Sequence, residues 1–154
     1  MQELAPESEF RRTHKNLQAK WLNVTFLNCP VEASLGVLGK KWTILVLRDI
    51  GGYGRARFSQ LTKALPNIPP KVLAARLKQL EQEGFIEKHV ERSVPPKIIK
   101  WTLTEKGLDA IRVAMMLTVF GSKWHAEKVF DDKRPRKARE IFDEEGIALL
   151  TRDF

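Results

Sequence analysis

The stretch Ile68-Pro-Pro-Lys-Val-Leu-Ala-Ala-Arg-Leu-Lys-Gln-Leu-Glu-Gln-Glu-Gly-Phe85 predicts one helix with both of its ends marked. Pro69 and Pro70 suit a first turn, because the N–H groups of a first turn have no intrahelical acceptor. Gly84 suits the left-handed position that follows a last turn. Between these ends leucines recur at helical spacing, so one narrow apolar stripe can be buried in a core. The stripe consists of Leu73, Leu77 and Leu80.

The opposite face of this helix is polar and basic. At about 100° per residue, the face and its flanks carry Lys71, Ala75, Arg76, Lys78, Gln79 and Gln82. A helix that is anchored on one side and offers cations and amides on the other can enter the major groove of DNA, provided that neighbouring elements hold it there.

The segments on either side supply such a frame. Residues 58–65 form a short amphipathic helix, and Pro66 and Asn67 are turn residues, which gives a helix-turn-helix. Residues 86–90 and 98–103 read as two strands joined by a basic loop over residues 91–97. The predicted fold is therefore mainly α with a small β-hairpin, a winged helix-turn-helix. The alternative is a plain helical core with a surface hairpin.

The charge distribution favours a polyanionic partner. The chain has 154 residues, a net charge of +8 and a pI of about 9.8. Between Arg55 and Trp101 there are ten Lys and Arg against four Glu, an excess of six positive charges within the proposed DNA-reading part. Concentrated basic charge is typical of phosphate binding. The alternative is charge that serves solubility alone.

Other functional classes find little support in the sequence. It contains no apolar run of 18 residues and no signal-peptide pattern, so we expect a cytoplasmic protein with no membrane partner. The single cysteine and three scattered histidines give no metal-binding pattern, and we expect no cofactor. The glycines at 51, 52 and 54 lack the Lys-Ser/Thr of a phosphate-binding loop, and no nucleophile motif occurs. We therefore expect that the protein is not an enzyme.

The remaining chain predicts three regions. Residues 1–28 would form an N-terminal arm and an accessory helix near residues 17–27, residues 29–128 the winged-helix DNA-binding and dimerisation domain, and residues 129–154 a charged C-terminal extension. The most hydrophobic helix, residues 40–50, is the expected central helix. A long helix, with Thr104 as its N-cap and running to about Ala126, carries two apolar stripes, so we expect one to face the domain and the other a second subunit. With the apolar segment at residues 17–27, this predicts a dimer formed by terminal helices. The alternative is a single wide core face. The stripes are Leu108, Ile111 and Met115, and Met116, Phe120 and Trp124.

Seven motifs follow one another with regular spacing: Cys29-Pro30, Gly39-Lys-Lys-Trp-Thr-Ile-Leu-Val-Leu47, Arg57-Phe-Ser-Gln-Leu61, Ile68-Pro-Pro-Lys-Val-Leu73, Arg76-Leu-Lys-Gln-Leu-Glu-Gln-Glu-Gly-Phe-Ile86, Val94-Pro-Pro-Lys97 and Trp101-Thr-Leu-Thr-Glu-Lys-Gly107. Over residues 28–127 this order resembles the HxlR-type transcriptional regulators, which are related to the MarR group. The resemblance implies a homodimer that binds a pseudo-palindromic operator in double-stranded DNA, with residues 70–83 as the recognition helix and residues 91–97 as the wing. It also implies that Cys29 can sense oxidants, as a cysteine near the N-terminus does in some HxlR-type regulators. The alternative is that Cys29 is a small hydrophobic residue buried in the protein. Any small-molecule effector stays unknown.

The predicted DNA contacts divide by role. Gln79 can pair with adenine, and Ala75 can touch a thymine methyl group. Lys78 would meet a phosphate, and Arg92 and Lys97 the adjacent minor groove or backbone. The full set of predicted contacts is Ser59, Lys71, Ala75, Arg76, Lys78, Gln79, Arg92 and Lys97. The competing functions are a non-specific architectural or basal-transcription winged helix, and a winged-helix module that binds other proteins.

Overall fold

The computed structural model describes residues 27–154, apart from the side chain of Arg92. Of the accessory helix predicted near residues 17–27, all but residue 27 lies outside this part of the chain. Contacts divide the chain into Met1–Gly36 and Val37–Phe154. Within the described residues, no helix has both the length and the hydropathy to cross a membrane. The elements in chain order are α1 (Pro30–Leu38), α2 (Thr43–Gly52), α3 (Phe58–Ala64), α4 (Pro70–Gln82), β1 (Ile86–Arg92), β2 (Ile98–Leu103), α5 (Glu105–Trp124), α6 (Ala126–Val129), α7 (Ala138–Ile141) and α8 (Glu144–Thr151).

The leucine stripe of α4 is buried, as its spacing predicts. Leu73, Leu77 and Leu80 are at most 2% exposed. They join one apolar core with side chains from α2, α3, β1, β2 and α5. Burying one leucine contributes about 1.5–3 kcal/mol, so the three together fix which face of α4 is left for solvent. The winged helix-turn-helix predicted from the sequence is confirmed.

The central helix begins three residues later than predicted. It starts at Thr43, because the residues before it form a turn in which Lys40 accepts a hydrogen bond from the backbone N–H of Thr43 at 3.1 Å. Trp42 takes a left-handed conformation, with φ 77°, that an α-helix does not allow. Position 42 is a tryptophan rather than a glycine or asparagine, so the sequence did not indicate a left-handed residue before the helix.

The hairpin is antiparallel and contains a β-bulge. Ile86 pairs with Leu103 and Val90 with Ile99, after which Arg92 pairs with Ile98, so Glu91 is the extra residue on β1. Because β1 continues to Arg92, the loop at the tip of the wing spans residues 93–97 and is shorter than predicted.

The long helix α5 runs back across the core and has two unlike sides. Thr104 caps it as predicted, since its Oγ1 accepts a hydrogen bond from the N–H of Gly107 at 3.1 Å. Ala110, Ile111, Ala114 and Met115 face the core. Leu108 was expected among them but is 37% exposed, because the buried face is centred on Gly107 and Ile111 and leaves Leu108 at its edge.

The segment after α6 folds back onto the same core. Phe142, Leu149 and Leu150 pack against the buried cluster. Asp143 caps α8 by accepting a hydrogen bond from the N–H of Gly146 at 2.8 Å. The predicted division of the chain at residue 129 stays a prediction.

Candidate nucleic-acid interface

The face of α4 that points away from the core offers the predicted side chains to solvent. Lys71, Ala75 and Lys78 are exposed, while Arg76 and Gln79 are partly buried on the flank. Arg76 Nη1 donates to Gln79 Oε1 at 2.7 Å. Since an amide oxygen has two lone pairs, Gln79 can still accept a hydrogen bond from a base while Arg76 holds its orientation. The sequence placed both residues on the flank but did not indicate that they are joined.

The C-terminal end of α4 is fastened to the start of α5. Gly84 has φ 75° and ends the helix as predicted. Lys106 Nζ donates to the carbonyl of Glu83 at 2.7 Å, and Thr104 Oγ1 donates to the carbonyl of Gly84 at 2.6 Å. A cation at a helix C-terminus also interacts favourably with the helix dipole. Helices α4 and α5 are therefore linked by direct hydrogen bonds.

The wing meets α3 through a three-residue charged cluster that the sequence analysis missed. Glu91 accepts hydrogen bonds from Arg57 Nη2 at 3.0 Å and from Lys100 Nζ at 3.2 Å. These hydrogen bonds, first that from Lys100 and then that from Arg57, hold the pKa of Glu91 below its ordinary value of 4.5. Arg57 and Glu91 are 34 positions apart in sequence, so no local pattern in the sequence indicates that they meet.

Two predicted contacts lie together beside this cluster. Ser59 near the start of α3 and Lys97, the loop residue just before β2, border one open groove of about 550 Å³, together with Arg57. The apolar part of the groove is formed by Phe58, Ile98, Ile99 and Trp101. Three polar side chains that can donate hydrogen bonds around an apolar floor suit the backbone of a nucleic acid.

The other predicted contacts are more dispersed. Lys78 borders a second groove with Lys88, between α4 and the hairpin. The backbone of Arg92 pairs with Ile98 at the end of β1, and its side chain lies outside what the structure describes. As contacts to DNA, all eight residues stay predictions.

Arg55, one of the ten cations counted in the sequence, has an internal partner. Its guanidinium contacts the fully buried carboxylate of Asp49, which Arg48 also contacts at 2.6 Å. The ring of Tyr53 lies 4.6 Å from the Arg55 guanidinium, and the Arg55 N–H donates to the Asp49 carbonyl at 2.9 Å. Arg55 thus stabilises the turn after α2. An aspartate within the most apolar helix was the sequence signal for this ion pair.

Cys29 lies immediately before α1. Its thiol is free and the residue is exposed, so the alternative of a buried small hydrophobe is wrong. Its carbonyl accepts a hydrogen bond from the N–H of Ala33 at 3.0 Å, which begins the helix. Across residues 27–154, no three His, Cys, Asp or Glu side chains gather as a metal site would require.

The architecture defines the class of protein: a helix-turn-helix whose second helix is exposed on one face and flanked by a basic hairpin is a winged-helix DNA-binding domain. The model of the HxlR family, described as "HxlR-like helix-turn-helix", matches residues 37–129. The chain belongs to this family of transcriptional regulators, as the sequence motifs indicated.

Individual relatives agree with the family. The chain is 36% identical over 105 residues to the regulator YtcD of Bacillus subtilis, covering 68% of this chain and 81% of YtcD. It is 42% identical over 80 residues to YodB of the same organism, covering 51% of this chain and 70% of YodB. The reduced form of YodB superimposes with a TM-score of 0.53 at 33% identity, over 64% of this chain and 95% of YodB. The crystal structure of YtcD gives a TM-score of 0.56 at 34% identity, over 62% and 95%.

Proposed function

We propose that this regulator is a homodimer that binds a pseudo-palindromic DNA operator, with α4 reading the major groove. The observation that carries the proposal is the division of α4 into a buried leucine stripe and an exposed face with Lys71, Ala75 and Lys78. Arg76 and Gln79 stand at the side of that face in a fixed mutual orientation. A rigid helix with preset polar side chains is what direct readout of base edges requires.

The wing would bind the DNA backbone next to the major groove. Lys97, Ser59 and Arg57 border one groove, although they come from different elements. Cations and hydroxyl groups in such a place contact phosphates and carry no sequence information of their own. We therefore expect α4 to supply base recognition, and Ser59 and Lys97 to supply affinity for any DNA.

The dimer would form through α5. Its exposed apolar side chains lie on the side of the helix opposite its core face, which supports a partner rather than one wide core face. They are Val113, Met116, Leu117, Phe120 and Trp124. A two-fold partner would cover this face and would set two copies of α4 at a fixed separation, matching the two halves of an operator.

The experiment that tests DNA reading compares two variants on two duplexes. An operator duplex is first selected by the protein from a random library, and a shuffled duplex of equal length serves as random DNA. Gln79→Ala should weaken operator binding by about 1–3 kcal/mol and random binding little, because it removes a base contact. Lys97→Ala should weaken both and lower the salt slope by about one, because it removes a phosphate contact.

Fluorescence anisotropy at several salt concentrations measures both quantities. Gln82→Ala is the matched control, since Gln82 is an exposed glutamine at the far end of the same helix. A wild-type protein that binds operator and random duplexes equally would favour the non-specific winged helix. Absence of binding to either duplex would favour the protein-interaction module.

Sedimentation equilibrium tests the dimer. Phe120→Glu places a charge in the middle of the exposed apolar face and should convert the dimer to a folded monomer. Leu108→Glu is the matched control, because Leu108 is an exposed leucine of α5 outside that face. A Phe120→Glu protein that stays dimeric would remove α5 from the interface.

A redox response through Cys29 is a second part of this proposal. The relative HypR is described as a redox regulator, and its oxidised form gives a TM-score of 0.53 at 28% identity over 60% of this chain and 94% of that chain. The exposed thiol of Cys29 is accessible to an oxidant. With one cysteine per chain, a disulfide would join two subunits or a small thiol. Diamide should alter operator binding by the wild type and not by Cys29→Ser; equal behaviour of the two proteins would disprove the sensor.

A further inference from the structure

We infer that Glu91 is a specificity residue that limits binding to random DNA. Its carboxylate holds the side chains of Arg57 and Lys100, and these bind DNA phosphates only when the wing is docked on the operator. The inference rests on the proposed function. It assigns to an acidic residue a role in restricting binding, at a place where the surrounding side chains are basic.

The carboxylate is positioned by three separate elements. Arg57 immediately precedes α3, Lys100 lies on β2, and Glu91 is the bulged residue of β1. A bulge re-aims one side chain relative to a regular strand. Here Glu91 uses a different oxygen for each partner, Oε2 for Arg57 and Oε1 for Lys100.

The cluster lies where the DNA backbone is expected. Arg57 borders the groove that also contains Ser59 and Lys97. One carboxylate between two cations leaves a net charge of +1 in place of +2. A phosphate that approaches this edge therefore competes with Glu91 for the same two donors.

The ion pairs are weak enough to exchange. The side chains of Arg57, Lys100 and Glu91 are 49%, 44% and 35% exposed, and ion pairs that are this accessible to solvent stabilise a protein only slightly. A phosphate held in place by base contacts along α4 can replace the carboxylate. A loosely bound random duplex has no such contacts and gains less from the exchange.

Removing the negative charge should thus help random DNA more than the operator. Binding to random DNA depends almost wholly on phosphate contacts. With Glu91→Gln, we expect random-DNA affinity to rise about 3- to 10-fold and its salt slope to steepen by about one to two, the effect of one to two added phosphate contacts. Operator affinity should rise less than about 3-fold, because those contacts are already made there.

The test measures anisotropy of the full chain on the selected operator and on shuffled DNA of equal length, over a range of salt. Glu87→Gln is the matched control: Glu87 is a glutamate of the same strand whose nearest basic group among the described residues is His89, at 3.9 Å. Arg57→Gln combined with Glu91→Gln should largely lose the gain, since Arg57 is one of the released donors. Circular dichroism confirms that each variant folds.

Each possible result either supports or overturns the role inferred for Glu91. A larger gain on random DNA for Glu91→Gln than for Glu87→Gln supports the inference. Equal gains on both duplexes, losses on both, or no change would overturn it, since these results indicate a general charge effect, a positioning role or no role. A wild-type protein without operator preference would instead contradict the proposed function, and this result is distinguishable because it appears before any substitution is made.

Discussion

Replacing Gly107 by alanine should both destabilise the protein and weaken operator binding. A Cβ at this position would lie 2.1 Å from the carbonyl oxygen of Phe85, whereas Cβ atoms essentially never come within 3.0 Å of a heavy atom outside their own stretch of chain. It would also lie 3.1 Å from Leu103 Cδ2. The obstacle is backbone that already accepts a hydrogen bond from the N–H of Thr104 at 3.1 Å, so it cannot swing aside as a flexible side chain would.

The size of the effect follows from two opposing contributions. Overpacking a tight site costs typically about 1–3 kcal/mol. Alanine recovers up to about 1 kcal/mol of helix propensity relative to glycine, and less in a first turn than in a helix interior. We expect a net loss of about 1–2 kcal/mol in the free energy of unfolding, which corresponds to a fall in Tm of about 2–4 °C for each kcal/mol in a chain of this size.

Urea denaturation followed by circular dichroism measures this loss. Gly121→Ala is the matched control in the same helix, because a Cβ at Gly121 would meet nothing within 4 Å among the described atoms. That variant should gain about 0.5–1 kcal/mol. If Gly107→Ala were as stable as Gly121→Ala, the close approach of α5 to the end of α4 would be refuted.

Operator binding gives a second readout of the same contact. Gly107 and Phe85 join α5, which we propose to form the dimer, to the end of the recognition helix. A shift between the two helices would change the separation of the two recognition helices in a dimer. We therefore expect Gly107→Ala to weaken operator binding more than random binding, measured under conditions in which the variant is folded. Equal weakening of both would indicate a loss of folded protein only.

Two further predictions concern charge. Asp49→Asn should lower the free energy of unfolding by about 1–3 kcal/mol, because a neutral amide loses the charge-assisted hydrogen bonds from Arg48 and Arg55. The Asp49 carboxylate is fully buried while both arginines are more than a third exposed, and urea denaturation measures the loss. The stabilising contribution of Glu91 should be complete above about pH 4.5 and should be lost as the pH falls through its lowered folded-state pKa. The gap in Tm between the wild type and Glu91→Gln should accordingly shrink toward pH 3, and a gap that is constant from pH 7 to 3 would contradict the ion pairs.

The sequence by itself determined the features that depend on local spacing. The leucine stripe of α4, the proline at its start and Gly84 at its end are set by helix geometry, and the structure places each as predicted. The Thr104 cap and the pairing of residues 98–103 with the strand before them are local in the same sense. The order of these elements was enough to identify a winged helix and its family.

Only the tertiary structure decided which distant groups meet. Glu91 reaches Arg57 because a bulge in β1 and the packing of the hairpin on α3 bring together residues that no periodicity connects. Arg55 was counted among the DNA-binding charges, yet it contacts Asp49 because the turn after α2 brings the two residues together. For α5, the sequence contained two apolar stripes but not their orientation. The close approach of Gly107 to Phe85 fixes the rotation of this helix and leaves the side with Phe120 and Trp124 exposed.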